Sequence, residues 1–152
     1  MKILFATDGG KQSDAALNFI RRMALGQSDQ VKVISVVDMA LPMAIDIYGG
    51  YLPDTSELEQ KARENAARVV EDSSGKVRSF VKPDEVSVDT EVLFGSPDSR
   101  IVETAEEWKA DLIVVGSHGY SRWERLLLGS VSDSVIHHAP CSVLVVRSEA
   151  EE

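Results

Sequence analysis

Three glycines toward the C-terminal end of the chain are spaced for anion chemistry: Gly116-Ser117-His118-Gly119, nine residues, then Gly129-Ser130. The block follows an apolar run, Leu112-Ile113-Val114-Val115, and precedes a short helix-like stretch that begins at Ser130. Glycine lets a loop leave a strand tightly and brings backbone N–H groups close to a ligand. A helix opening at Ser130 would add free N–H groups and a positive dipole end, both of which attract phosphate. A second candidate, Asp8, ends the apolar segment Ile3-Leu4-Phe5-Ala6 and is followed by Gly9-Gly10. Each feature also has a structural explanation: turn chemistry for the glycines, and for Asp8 a carboxylate that helps the next helix to start.

Other polar residues divide in the same way. His118, inside the glycine block, could donate to phosphate or stand as a solvated loop histidine. Ser130-Val131-Ser132-Asp133 fits a capping box, which is compatible with phosphate contact because side chain and backbone need not compete. His137 and His138 are adjacent, so on a helix they point different ways and make a poor metal pair. Their place before Ala139-Pro140 suits imidazoles that meet helix-end carbonyls. Cys141 has no obvious partner base and reads as a small core residue. The insert from Tyr120 to Leu128 carries Arg122 and Arg125, the cations nearest the glycines, and Trp123 with three leucines. That apolar group either packs under the loop or is offered to a partner.

The elements that must position these groups alternate along the chain. Ile3–Ala6 reads as a buried strand. A helix follows with Ala16, Phe19, Ile20, Met23 and Ala24 on one face, and Gly26 is expected to stop it. Val31–Val37 is a second strand, and a loop runs from about Asp38 to Asp54. Thr55 or Ser56 can cap a long helix with Leu58, Ala62, Ala66, Val69 and Val70 on one side, and Ser73-Ser74-Gly75 is the point where it could break. Val86, Val88 and Val92 alternate with polar residues, the pattern of an edge strand with one wet face. Pro97 and Asp98 open a third helix through Ile101, Val102, Ala105 and Trp108. The Leu112–Val115 strand, a short helix through Val131, Val135 and Ile136, and the strand Val143–Val146 complete the order. Such alternation predicts a three-layer, doubly wound, Rossmann-like α/β domain with a parallel sheet. Ligands of such sheets sit beyond the strands' carboxyl ends where strand order reverses, so Asp8 and Gly116 would share one crevice if their strands are neighbours.

Bulk properties narrow the functions. The chain has 152 residues, 43% of them hydrophobic and 27% charged, and a net charge of −9. That is one domain over residues 1–148 with an acidic tail, 149–152, and a surface unsuited to nucleic acid or an anionic membrane. A lone cysteine excludes an internal disulfide and a multi-cysteine metal site. The first eight residues are too short and too soon polar for a signal peptide or a membrane span, so a cytoplasmic address is expected. There is no Gly-x4-Gly-Lys-Ser/Thr sequence, hence no P-loop lysine. An uninterrupted apolar last strand, Val143-Leu144-Val145-Val146, needs cover. Antiparallel pairing with the same strand of a second copy is the simplest solution and makes a two-fold dimer.

With these residues on view, the chain resembles the universal stress proteins of the nucleotide-binding kind. The resemblance runs from Ile3–Gly9 through Ser35-Val36-Val37-Asp38 to Gly116–Val146, and is most specific in Gly-x2-Gly-x9-Gly-Ser and in Ala139-Pro140-Cys141-Ser142 with the strand after it. It implies a five-stranded parallel sheet in the order 3-2-1-4-5 with two helices on each face, and the same dimer. It also implies an ATP site with magnesium or manganese. Asp8 would hold the ribose or a metal-linked oxygen, beside Ala6 and Thr7. Val36 would meet the adenine edge through its backbone. Gly116, Ser117, His118 and Gly119 would line ribose and phosphate, and Gly129, Ser130, Val131 and Ser132 would cradle the phosphates. The loop from Asp38 to Asp54, with its methionines and tyrosines, could cover the adenine or contact another chain. Two positions depart from the family pattern: Gly10 stands where serine is frequent after Asp-Gly, and Ser142 where proline is. The implied role is a nucleotide-dependent stress regulator acting on a protein partner the sequence does not name. Slow metal-dependent ATP hydrolysis, a nucleotide-free structural dimer, and AMP or a cyclic or dinucleotide as ligand are the alternatives.

Overall fold

A computed structural model describes residues 1–38, 56–117 and 128–147. Strands β1 (Lys2–Ala6), β2 (Asp29–Asp38), β3 (Val86–Gly95), β4 (Leu112–Gly116) and β5 (Ser142–Val146) alternate with helices α1 (Lys11–Arg22), α2 (Ser56–Phe80), α3 (Pro97–Trp108) and α4 (Ser130–His138). The strands form one parallel sheet in the order β3-β2-β1-β4-β5. Phe5 of β1 lies opposite Val33 on one side and Val114 on the other. The strand order therefore reverses between β1 and β4, which are neighbours.

Alternate residues of the central strands feed two cores, as a period of two requires. Ile3, Phe5, Val31, Val33 and Val114 pack with Ala16, Leu17 and Ile20 of α1 and Val70 and Val77 of α2. On the other face Leu4, Ile34, Ile113 and Val115 pack with Ile101 and Ala105 of α3 and Val135 of α4. Full burial of each large apolar side chain contributes about 1.5–3 kcal/mol. Because the central strands are covered on both faces, they read as continuous apolar runs. At the edge, β3 exposes Ser87, Asp89 and Glu91, and Glu91 pairs with Lys32 at 3.2 Å. The opposite edge, β5, keeps Val143, Leu144 and Val145 half-buried.

Three local expectations change. Helix α1 ends at Arg22, not at Gly26: the chain turns through Ala24 and Ser28 with φ of 50° and 70°. The Gly26 N–H instead donates to the Asp29 carboxylate at 3.0 Å, closing the turn into β2. Helix α2 does not break at Ser73-Ser74-Gly75. Ser74 Oγ donates to the Glu71 carbonyl at 3.0 Å and accepts from Arg78 at 3.1 Å, so its polar group is satisfied within the helix. Strand β3 extends past Val92 to Gly95, because Leu93 and Phe94 continue the ladder opposite Val36 and Val37. Among the described residues no helix is long and apolar enough to cross a membrane.

Candidate functional site

A cleft of about 210 Å³ opens at the carboxyl ends of β1, β2 and β4. Of the residues singled out from the sequence, Ala6, Thr7, Asp8, Val36, Gly116, Val131 and Ser132 line it. Ser117 does not. It is buried just beyond Gly116, and its N–H donates to the Val146 carbonyl at 2.8 Å, prolonging the β4–β5 ladder. Gly129 is the N-cap of α4 and the exposed Ser130 its first residue, next to the lining pair Val131 and Ser132. His118, Gly119, Arg122, Trp123, Arg125 and the 39–55 segment lie outside the described residues.

The turn after β1 is built by local chemistry. Gly9 adopts φ +77°, a region L side chains avoid, and a Cβ there would stand 2.9 Å from Val69 of α2. Its N–H donates to Thr7 Oγ1 at 3.1 Å. One Asp8 oxygen accepts from the Gly10 N–H at 2.9 Å and from Ser13 Oγ at 3.2 Å, so Asp8 does organise the entry to α1. Gly10 is the N-cap, and a Cβ on it would approach that same Asp8 oxygen to 3.0 Å. A serine there would crowd the carboxylate as well as add a hydroxyl. Gly116 has a packing reason of its own: a Cβ would lie 2.7 Å from the Gln12 Cβ. Helix α1 passes so close to the end of β4 that only glycine fits.

Three helices begin at this cleft. The N-caps of α1, α3 and α4 are Gly10, Ser96 and Gly129, and none makes a side-chain capping bond. The capping box expected at Ser130–Asp133 is therefore not formed, because the helix starts one residue earlier than the motif needs. Ser132 Oγ turns inward and donates to the Gly116 carbonyl at 3.0 Å. At α3 the Asp98 carboxylate accepts first-turn N–H groups, whereas α1 and α4 begin on glycines, and the positive dipole ends behind all three favour anions at this rim. The rest of the lining is apolar, from Ala6, Ile34, Val36, Ile101, Val115 and Val131. An apolar wall with a few convergent polar groups is the usual make-up of a small-molecule site.

Gln12, Ser13, Ile34, Pro97, Ile101 and Val115 also line the cleft and were not foreseen. Gln12 and Ser13 were within reach of the sequence, being in the first helical turn after Asp8. Pro97 and Ile101 were not, because nothing in the chain says that α3 crosses above β2. Elsewhere, His137 and His138 place Nδ1 at 2.8 Å from the Asp133 and Ser134 carbonyls, one turn back within α4 and not at its open end as expected. Cys141 is half-buried against the α3/α4 core, and that burial pushes its thiol pKa up. Among the described residues no group of three or more His, Cys, Asp or Glu could hold a metal ion.

Fold and cleft together define a doubly wound α/β protein with a crevice at its topological switch point, the place where such sheets bind ligands. The universal stress protein family model matches residues 1–147, and the chain belongs to that family. It is 34% identical over 148 residues to a putative universal stress protein of Staphylococcus aureus (strain USA300), covering 97% of this chain and 84% of that one. Among solved structures it is similar to hypothetical protein MJ0577, with a TM-score of 0.81, 27% identity, and 99% and 97% of the two chains covered. Two more distant likenesses show the fold alone. One is a universal stress protein in complex with cAMP (TM-score 0.65, 22% identity, 96% and 95% covered). The other is an Arabidopsis thaliana family member with AMP bound (TM-score 0.68, 18% identity, 99% and 93% covered).

Proposed function

We propose that this chain is an ATP-binding universal stress protein, a nucleotide-dependent regulator whose function is binding rather than turnover. One observation carries the reading: three helix N-termini without N-cap side-chain bonds converge on a cleft whose lining is otherwise largely apolar. An adenine nucleotide has that polarity, with a flat apolar base at one end and anionic phosphates at the other. Relatives of the same fold with cAMP and AMP bound favour the same ligand class. In this reading the base lies against Val36 and Ile101, Asp8 meets the ribose, and Gly129, Ser130, Val131 and Ser132 cradle the phosphates, with Gly116 to Gly119 lining the passage between. Asp8 also fits a divalent ion in one respect: magnesium needs only one or two carboxylates when phosphates and water complete its shell. Such an ion would neutralise phosphate charge that this acidic chain has few cations to meet. The proposed address is the cytoplasm.

Calorimetry with magnesium, on protein stripped of co-purified nucleotide, tests this reading. Micromolar affinity for ATP that falls at least about tenfold in Gly119→Val is expected, since the family resemblance assigns Gly119 to the nucleotide loop. Absence of any nucleotide binding, with none co-purified, overturns it. Titrations with ADP and AMP rank the ligands.

The reading includes a homodimer through Val143, Leu144, Val145 and Val146. The outer rim of β5 presents backbone groups beside half-buried apolar side chains, whereas β3 protects its own rim with charge. Val145→Lys should convert a dimer to a monomer in sedimentation velocity, and a wild-type monomer at tens of micromolar would refute this part.

A further inference from the structure

Helix α4 is only nine residues long, too short to hold its place by propensity alone. Two hydroxyls fix its first turns from different sides. Ser132 Oγ reaches the end of β4, donating to the Gly116 carbonyl at 3.0 Å. Ser134 Oγ reaches α3 and donates to Asp98 Oδ2 at 2.7 Å, a bond between residues 36 positions apart. The other Asp98 oxygen accepts from Ser96 Oγ at 2.5 Å. Asp98 and Ser134 are half-buried, and neither lines the cleft, although their helix neighbours Pro97, Ile101, Val131 and Ser132 do.

We propose that Asp98 and Ser134 are a positioning pair, which locks the first turn of α4 at the angle that presents its N–H groups to the phosphates. The inference rests on the nucleotide reading above. A rotation or tilt of α4 that kept the Ser132 bond would break the Ser134 bond, so the two together leave one orientation. The acceptor at Asp98 is ionised, and a hydrogen bond to a charged group is about twice as strong as one between neutral groups. Ser96, then Ser134, hold that carboxyl below the usual carboxylate range, with N–H groups of α3 adding to the effect.

The same cluster brings Ser134, His138 and Asp98 together, which invites a nucleophile reading. Its wiring excludes one. The Ser134 proton points to the carboxylate, while His138 Nδ1 sits 2.8 Å from the Ser134 carbonyl and 3.5 Å from its Oγ. The group on the hydroxyl proton is the Asp98 carboxylate, whose lowered pKa makes it a weak base, and an acid–base–nucleophile relay needs the histidine between the other two.

The test is Ser134→Ala, with ATP and adenosine affinities measured by NMR titration and stability by thermal unfolding. ATP affinity should fall about tenfold, the worth of one charge-assisted hydrogen bond, while adenosine affinity changes less than about twofold. Amide hydrogen exchange at residues 131–133 should quicken without ligand. Asp98→Ala should cost at least as much ATP affinity as Ser134→Ala, because it also frees Ser96 and the start of α3, and the double variant should bind no more weakly than Asp98→Ala, since the Ser134 bond is already gone there. Asp98→Asn keeps an acceptor oxygen and should restore most of the ATP affinity. Wild-type ATP binding with Ser134→Ala unchanged, or an equal loss for adenosine, overturns the positioning pair alone. A wild-type chain that binds no nucleotide overturns the nucleotide reading and this inference with it.

Discussion

The two ends of the sheet are finished in opposite ways. At the amino ends of the strands, polar groups satisfy one another. The Lys2 N–H donates to the Asp111 carboxylate at 2.6 Å, and the Asp111 N–H returns a bond to the Lys2 carbonyl at 2.8 Å. Gln30 N–H bonds to the Met1 carbonyl at 2.9 Å, tying β2 to the start of β1. The Lys2 and Lys32 ammonium groups sit 5.4 and 5.5 Å from the centre of the Trp108 ring, and Lys2 Nζ also donates to the Trp108 carbonyl. At the carboxyl ends the residues are small, Gly9, Gly10, Ser13, Gly116 and Ser132, and three helices start without an N-cap side-chain bond. The difference follows from topology. Crossover helices in a parallel sheet run antiparallel to their strands, so their positive ends gather at one edge. One end of the molecule closes on lysine contacts with a carboxylate and an aromatic ring, and the other gathers small residues and the positive ends of helices.

That contrast makes substitutions at the two ends separable. The larger effect belongs to Gly9→Ala, which forces an L side chain into φ +77° and against Val69. A cost of about 2 kcal/mol is expected, a fall in Tm of roughly 5 °C, together with weaker ATP binding because the Asp8 turn shifts. Calorimetric unfolding and ATP titration on one preparation read both effects. Wild-type affinity in a destabilised Gly9→Ala would dissolve the link between turn and ligand. The smaller effect belongs to the amino end. Asp111→Ala removes the acceptor for the Lys2 N–H in an exposed setting and should cost about 1 kcal/mol. Its ATP affinity should equal that of the wild type. An Asp111→Ala chain that lost nucleotide would show that the two ends are coupled through β1, and the division drawn above would fail.

Much of this was legible in the sequence because the signals are local. The apolar runs Ile3–Ala6 and Leu112–Val115 are buried strands, since a strand covered on both faces has no polar side. The alternation in β3 gave away an edge, and Pro97 after Ser96 marked the start of α3. Local signals also misled. Gly26 looked like a helix stop, but the Asp29 carboxylate captures its N–H to shape a turn. Ser130–Asp133 matched a capping box one residue out of register, because Gly129 already caps the helix.

Sequence alone determined the order of elements and most of the residues on their buried faces, because each depends on residues close together along the chain, although Phe19, Leu58 and Ile136, expected on those faces, are exposed. It also pointed to the universal stress protein family, and the match over residues 1–147 bears out that membership. Tertiary structure decided what those residues meet. Gly116 must be glycine because α1 crosses it, Pro97 and Ile101 reach the cleft because α3 lies over β2, and Ser134 finds Asp98 across 36 residues of chain. Such contacts join elements whose separation is set by packing of the whole core, so no short stretch of sequence encodes them.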